Sequence, residues 1–521
     1  MAFVNDAPGN GVMNNWASAA RTFLHSRVIT MLFLGFSAGL PLMLIFSSLS
    51  LWLREAGIER SVVTFFSWAA LGYSFKFVWA PLADSLSLPY LTRTLGRRRA
   101  WILLAQISVV TAILLMSLID PASESQNLVY LALAAVMLGF SSATQDIVID
   151  AYRIESAKPE LQAMMSSSYI VGYRIGMLVT GAGSLYLASI LGSTAESYSY
   201  VAWSTTYQVM AACMGIGIAT TLLIREPGVS EKVKQHGTRQ HVQILVLFGI
   251  CVSSFIVAYL LTAEIAPTMK AWFKGLTGNT ALAGVMAGFV RLLIASTGAL
   301  FMGKLLTSLR VVPREIMESL YFDPVADFFG RHGVRLALIL LALIGCYRIS
   351  DIVLGVISNV FYQDLGFSKT DIANASKFFG LWMTLIGGFL GGLLAVRAGV
   401  LKILFLGAVL SAATNLLFIL LAKTGQSLVM LYAVIMADNL SAGLASAAFV
   451  AFLSSLTNVR FSAMQYAVFT SFMFMFPKIL GGYSGSMVDT IGYENFFLVT
   501  AFIGLPVLVL IWLIARQADQ T

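Results

Sequence analysis

Residues 127–153 read N-L-V-Y-L-A-L-A-A-V-M-L-G-F-S-S-A-T-Q-D-I-V-I-D-A-Y-R. The opening part carries no charge, and a helix needs about 20 apolar residues to cross a hydrocarbon core of ~30 Å, so the segment reads as a membrane span. Asp146 and Asp150 nevertheless sit inside it, ahead of Arg153. A charge at the bilayer centre costs ~2.5–3.5 kcal/mol or more, so acids placed there line a cavity, pair with a cation or relay protons. The whole chain has this character. Of its 521 residues 58% are hydrophobic and 11% charged, against about 45–50% and about 25% in an ordinary soluble domain. Such a composition excludes a large water-soluble catalytic domain, a nucleic-acid-binding module and a signal-anchored extracellular protein. A transporter, a channel or a membrane-embedded enzyme is left.

Working outward from that span, apolar segments are predicted at about 28–53, 61–83, 100–119, 127–151, 163–190, 201–224, 242–264, 281–303, 335–361, 372–396, 400–422, 427–453, 462–488 and 493–515. With the N-terminus placed in the cytoplasm, 21 of the 33 Lys and Arg fall in inside loops and tails, 6 outside and 6 within spans. The positive-inside rule then favours an even span count with both termini cytoplasmic. On this reading the net charge of +8 reports orientation, and no nucleic-acid partner is expected. The first run is too long for a signal-peptide core and lacks a cleavage site, so it is expected to remain as a span. Cys213, Cys251 and Cys346 lie in apolar segments without metal or redox spacing. The four histidines, His25, His236, His241 and His332, lie in tails or loops. No metal or cofactor is expected.

The spans divide as six, two and six. This gives a cytoplasmic tail at 1–27, a six-helix bundle at 28–224, and cytoplasmic linkers at 225–334 that enclose two extra spans. A second six-helix bundle follows at 335–515, with a short tail at 516–521. The expectation is an all-α integral membrane protein of 14 transmembrane helices. Two six-helix halves with a central cytoplasmic connection resemble the major facilitator transporters, whose halves rock around a midplane site. Between Pro313 and Phe329 apolar and charged residues alternate as in an interfacial amphipathic helix. Ser141-Ser142-Ala143 and Ala163-Met164 recur 300 residues later as Ser441-Ala442-Gly443 and Ala463-Met464, a faint repeat that fits parallel halves.

Candidate functional residues are the charges inside spans. Asp146 and Asp150, four apart, share one helix face. Asp146 lies ~10 Å deeper than Arg153 and is the better candidate for carrying a proton; Asp150 is either a second such acid or an interfacial acid reaching for water. Asp351 is either a third proton-coupling acid or the structural partner of Arg348, three residues before it. Lys76, Arg174 and Lys478 lie too deep in their spans to reach the interface easily and suggest an anionic substrate; for the two lysines the other reading is pairing with Asp146 or Asp351. Asp438 and Asn439 bond either a substrate or a neighbouring helix. Gln145 adjoins the acids, and Tyr73, Trp79 and Tyr173 offer ring faces to sugars or simply pack. Gly172 and Gly176, Gly387, Gly388, Gly391 and Gly392, and Gly481 and Gly485 have the four-residue spacing of close helix contacts.

Pro81-Leu82-Ala83-Asp84 followed by Gly96-Arg97-Arg98-Arg99 resembles the G-x-x-x-D-x-x-G-R-R signature between helices 2 and 3 of major facilitator transporters. Here Trp79 replaces the leading glycine, and the Asp-to-Gly spacing is stretched to twelve. The resemblance implies that Asp84, Gly96, Arg97 and Arg98 form a gating latch; the other reading is that the arginines only enforce orientation.

More closely, the chain resembles the AmpG-type muropeptide permeases of Gram-negative bacteria. The matching strings are G-F-S-A-G-L-P-L at 35–42, Y-S-F-K-F-V-W-A-P-L-A-D at 73–84, S-S-A-T-Q-D-I-V-I-D-A at 141–151 and V-G-Y-R-I-G-M-L-V at 171–179. D-F-F-G-R at 327–331, G-F-S-K at 366–369, S-A-A-F-V-A at 446–451 and F-S-A-M-Q at 461–465 continue the match. The resemblance implies proton-driven import of N-acetylglucosaminyl-1,6-anhydro-N-acetylmuramyl peptides across the inner membrane, for peptidoglycan recycling and, in some species, β-lactamase induction. It also implies that Asp146 is the residue most tied to transport. The expected partners are this substrate, protons and membrane lipid, with the chain acting as a monomer. The alternative is a related facilitator of another bulky anion, such as the acetyl-CoA transporters. A membrane-embedded enzyme would need a nucleophile and base at one depth, and none is found.

Overall fold

A computed structural model describes residues 24–58, 66, 73, 75–157, 159–194, 197–228, 238–278, 280–481 and 484–518. They form two compact units: 1–80, 88–230 and 338–521 make up the first, 81–87 and 231–337 the second. Among the described residues every regular element is helical. That is what a chain with no water to satisfy its backbone requires, since a helix pairs its own N–H and C=O groups internally.

In the first unit the N-terminal half contains α1 (Ser26–Ile45), α2 (Ser47–Glu55), α3 (Arg97–Ser117), α4 (Ser125–Ser156), α5 (Pro159–Leu178), α6 (Ser184–Ile190), α7 (Tyr200–Cys213) and α8 (Gly215–Leu223). Ser199 opens α7 by accepting the N–H of Ala202, which satisfies one of the orphan donors of the first turn. In the second unit α9 (Thr238–Leu261) and α11 (Thr280–Ser308) are the inserted pair, joined by α10 (Ala266–Thr277), a helix that the hydropathy pattern does not announce. There α12 (Arg314–Met317) leads into α13 (Asp323–Cys346), whose residues from Leu338 on belong to the first unit. The amphipathic stretch is helical, and α13 is broken just beyond it at Gly333, whose φ of 71° is a left-handed conformation that favours glycine. The C-terminal half, again in the first unit, contains α14 (Ile349–Asp364), α15 (Gly380–Ala398), α16 (Val400–Thr424), α17 (Leu428–Leu456), α18 (Ser462–Gly481), α19 (Ser484–Ile503) and α20 (Leu505–Ala518).

Twelve helices among the described residues are long and apolar enough to cross a membrane. The expected spans at 61–83 and 462–488 run through residues outside the described set, so the structure gives twelve where the sequence suggests fourteen. Arg291, inside the inserted pair, is held within its own unit. It donates to the Tyr259 carbonyl at 2.9 Å and lies 4.2 Å over the Tyr259 ring.

Glycine decides which helices touch. α1 and α5 cross so closely that a Cβ on Gly35, Gly39, Gly172 or Gly176 would come within 3.0 Å of a backbone oxygen, those of Tyr169, Tyr173, Leu32 and Phe36 respectively. In the other half Gly387 and Gly391 of α15 meet the carbonyls of Leu440 and Leu444 on α17, and Gly443 meets that of Thr384. The overlapping pair Gly388 and Gly392 serves a different neighbour: Ser167 of α5 donates to the Gly388 carbonyl at 2.6 Å, and a Cβ on Gly392 would lie 2.5 Å from that of Ser167. One helix thus carries two small-residue faces, one for its own half and one for the other. Gly481 approaches Val356, and Gly485 has nothing within 4 Å, so its spacing does not mark a contact.

A buried polar triple recurs in the two halves. Ser37 of α1, Gln106 of α3 and Gly217 of α8 come together in one; Ser350 of α14, Asn415 of α16 and Gly504 beside α20 come together in the other. Each comes from the first, third and last span of its half, which is the parallel repeat that the sequence shows faintly elsewhere.

Overpacking a close contact costs ~1–3 kcal/mol. Gly39→Ala is therefore expected to lower the melting temperature of the detergent-purified protein by several degrees, and Gly485→Ala to leave it near wild type. Equal melting of the two would show that the α1–α5 contact is looser than described.

Candidate functional site

Four charges lie along α4, Asp146, Asp150, Arg153 and Glu155. Arg153 donates to Asp150 at 3.0 Å and to the Ser166 hydroxyl at 2.6 Å. Its guanidinium lies 5.9 Å from the Tyr169 ring centre and 5.1 Å from that of Tyr466, and its side chain is fully buried. By position in the sequence Arg153 counts as a loop residue that marks orientation; the structure corrects this, because α4 continues past it to Ser156. Asp150 is accordingly one member of a buried ion pair, and neither of its sequence-based readings anticipated that partner.

Asp146, one turn deeper, is buried and accepts a hydrogen bond from the Tyr169 hydroxyl at 3.4 Å. Lys76, on a short 3-10 turn at Lys76–Val78, is buried within electrostatic reach of Asp146 and Asp150. Tyr73 bonds the Ser142 hydroxyl and lies in reach of Tyr173 and Asp146, and the rings of Tyr169 and Tyr173 are 6.0 Å apart. Thus Tyr73, Lys76, Asp146 and Tyr173, proposed separately from the sequence, come together around one point with Tyr169, which it did not single out. Two others are spent on packing. Trp79 is buried with its ring 4.6 Å from Phe140 and its N–H on Thr144 at 3.1 Å. Gln145 donates to Ser37 at 2.9 Å.

In the C-terminal half Arg348 and Asp351 pair at 3.6 Å, as their three-residue spacing allows. Ser446 accepts from Arg348 and Ser411 donates to Asp351. Asn439 accepts from Thr384 at 2.9 Å, which is the neighbouring-helix alternative. Asp438 is half-buried in reach of Arg348 and Asp351. Arg174 of α5 is half-buried and lies within electrostatic reach of Arg348. Because α5 packs on α15 and α17, the cluster of each half faces the seam between them. Lys478 belongs to α18, but its side chain lies outside the described residues. Among the described residues no group of His, Cys, Asp and Glu could hold a metal.

At the end of the first unit where the basic loops lie, Arg98 is fully buried against Glu155, and Arg97 lies 3.5 Å from the same carboxylate. Ser462 of α18 donates to Glu155 at 2.6 Å and accepts from Arg98 at 2.8 Å, joining the two halves. Glu226 caps α3 by accepting the backbone N–H groups of Arg98 at 2.8 Å and Arg99 at 3.1 Å, a favourable place for a negative charge. Gly96 turns into this helix with φ 91°, and a Cβ there would press on Glu226. Asp84 is buried and belongs to the second unit. Glu155, Glu226 and Ser462 were missed in the sequence because nothing local distinguishes them from loop residues.

The two helical halves meet along a seam to which charged groups of both contribute, and this fold is shared with the major facilitator transporters. The structure matches the proton:xylose symporter XylE with a TM-score of 0.56 at 12% identity, covering 96% of this chain and 97% of that one. It matches FucP in its outward conformation with a TM-score of 0.57 at 12% identity, covering 95% and 99%. The family model "Acetyl-coenzyme A transporter 1" matches residues 27–200. The chain is 30% identical over 500 residues to the transporter AmpG 4 of Rickettsia felis, covering 96% of this chain and 99% of its relative. With the anhydromuropeptide permease of Escherichia coli K12 it shares 28% over 498 residues, covering 95% and 81%. The chain belongs to the AmpG family of transporters, multi-pass membrane proteins and not enzymes.

Removing one partner of a buried ion pair costs ~3–5 kcal/mol, whereas an exposed pair is worth ~0–1 kcal/mol. Arg98→Ala is expected to destabilise the protein severely, and Arg97→Ala, which leaves Glu155 still paired with Arg98, less so. Thermal melts and yields of the two variants check this, and similar losses from both would refute the asymmetry.

Proposed function

We propose that the chain is a proton-driven importer of anhydromuropeptides (N-acetylglucosaminyl-1,6-anhydro-N-acetylmuramyl peptides), carrying them from periplasm to cytoplasm across the bacterial inner membrane by alternating access. Its place would be peptidoglycan recycling and, in some species, β-lactamase induction. Family membership supports the substrate class, since the permease of Escherichia coli is named for it. The excess of basic residues in alternate loops supports cytoplasmic termini.

The observation that carries the coupling is the difference between the acids. Asp150 has Arg153 at 3.0 Å and Asp351 has Arg348 at 3.6 Å. Asp146 makes no ion pair among the described residues and has only the Tyr169 hydroxyl at 3.4 Å, with Lys76 further off. An acid in a membrane interior without a salt-bridge partner is a natural place to gain and lose a proton. In this mechanism protonation of Asp146 frees Lys76 for a substrate carboxylate. Arg174 and Lys478 would hold further carboxylates of the stem peptide, while Tyr73 and Tyr173 present faces to the sugar rings. Asp438, beside Arg348, would bond sugar hydroxyls. The contacts at Ser167–Gly388 and Glu155–Ser462 would hold the cytoplasmic side shut until the halves rock.

A second reading, transport of another bulky anion such as acetyl-CoA, is favoured by the family model over 27–200. Both are decided in proteoliposomes loaded with neither substrate. Labelled anhydromuropeptide should enter faster under an inward proton gradient, and Asp146→Asn should lose that acceleration by roughly tenfold or more, the scale of an essential proton site. Uptake indifferent to both gradient and substitution would remove the coupling. Uptake of acetyl-CoA with none of the muropeptide would replace the substrate.

A further inference from the structure

We propose that Arg153 is a positioning residue which, by clamping Tyr466 of the C-terminal half, ties the acids of α4 to closure of the seam between the halves. The proposal rests on the alternating-access reading but not on the identity of the substrate or on proton coupling.

The geometry gives both terminal nitrogens and the faces of the guanidinium a contact. One amino group is bonded to Asp150 at 3.0 Å and the other to Ser166 at 2.6 Å. Tyr169 of the same half and Tyr466 of α18 lie at 5.9 Å and 5.1 Å. A planar, delocalised cation can use its edges for carboxylate and hydroxyl while its faces lie on aromatic rings, which an ammonium cannot do. The Nε is buried without a partner, so hydrogen bonds within its own half do not fully satisfy the group, and the rings supply the rest of its environment. Of these contacts only Tyr466 belongs to the other half. When the seam opens, that ring leaves and the charge loses one of its two aromatic neighbours.

The same group is connected to the site. Tyr169, one of the two rings, carries the hydroxyl that bonds Asp146 at 3.4 Å, and Tyr466 itself lies in electrostatic reach of Asp146 and Asp150. A change at Asp146 that shifts Tyr169 therefore disturbs the guanidinium, and through it the hold on α18. This is a contiguous set of contacts in which the Tyr466 contact, made in one arrangement of the halves and lost in the other, is the two-state element that both sites would bias. The sequence offers no hint of it, since Arg153 looks like one more inside arginine and Tyr466 like one more membrane aromatic.

The test measures the seam itself. Spin labels are placed on Thr94→Cys and Ala398→Cys, both exposed and one in each half, in full-length protein with Cys213, Cys251 and Cys346 replaced by Ser, reconstituted in lipid. The distance distribution is read by double electron–electron resonance. Tyr466→Leu, which removes the ring, is expected to reduce the short-distance population about two- to fivefold, the weight of one cation–aromatic contact. Tyr466→Phe, which keeps the ring, should restore most of it, and Arg153→Lys should behave like Tyr466→Leu. If Tyr466→Leu leaves the distribution as in wild type, the clamp is refuted, whether or not Arg153→Lys can be purified. A shifted distribution with uptake that ignores the proton gradient would uphold the clamp and refute the coupling proposed above.

Discussion

An ionised side chain surrounded by hydrocarbon must be paired, stacked or given water, and the interior of this protein is organised by how each charge meets that demand. Arg98 and Arg153 are fully buried and take carboxylates, Glu155 and Asp150. Arg348 takes Asp351 and a serine. Arg291 takes a carbonyl and a tyrosine ring within the inserted pair. Against these compensated groups Lys76, Asp146 and Arg174 stand out, since they lie near opposite or like charges without making an ion pair among the described residues. Desolvation makes that arrangement costly in a static structure. It becomes intelligible where protons and an anionic solute come and go.

The glycine seams make the arrangement possible. Because α1 and α5 meet backbone to backbone at Gly35, Gly39, Gly172 and Gly176, Tyr169 and Tyr173 are carried on a helix held firmly within its own half. The two glycine faces of α15 extend the same principle. Gly387 and Gly391 fasten it to α17, while Gly388 and Gly392 set it against α5 of the other half through Ser167. In membranes, where the hydrophobic effect does not drive helices together, such close packing supplies much of the association. A seam made of small residues and a few hydrogen bonds can also open without exposing large apolar surfaces to water.

Much of the fold was legible in the sequence for a physical reason. Crossing a bilayer requires long uncharged helices, and this requirement acts on each segment alone. Hydropathy accordingly located the inserted pair and most spans, and the amphipathic pattern after Pro313 marked a helix. The candidate site was legible in its depth and less so in its partners. The acids of α4 and the pair Arg348–Asp351 were visible because charge is scarce and helical spacing is fixed. Trp79 and Gln145 look suited to a solute in the sequence, and the fold adds contacts that the sequence does not show, to Thr144 and to Ser37.

What the sequence by itself determined is the helices long and apolar enough to cross a membrane, twelve of which the described residues show, and the spacing of the charges along them, because both follow from local apolar length and helical periodicity. Only the tertiary structure decided which charges are compensated. Glu155 and Ser462 are 307 residues apart in the chain and in contact in the fold, and Arg153 changes from an orientation marker to a clamp once Tyr466 lies 5.1 Å from it. The cost of a buried charge is set by what surrounds it in space, and that neighbourhood exists only after the two halves have packed together.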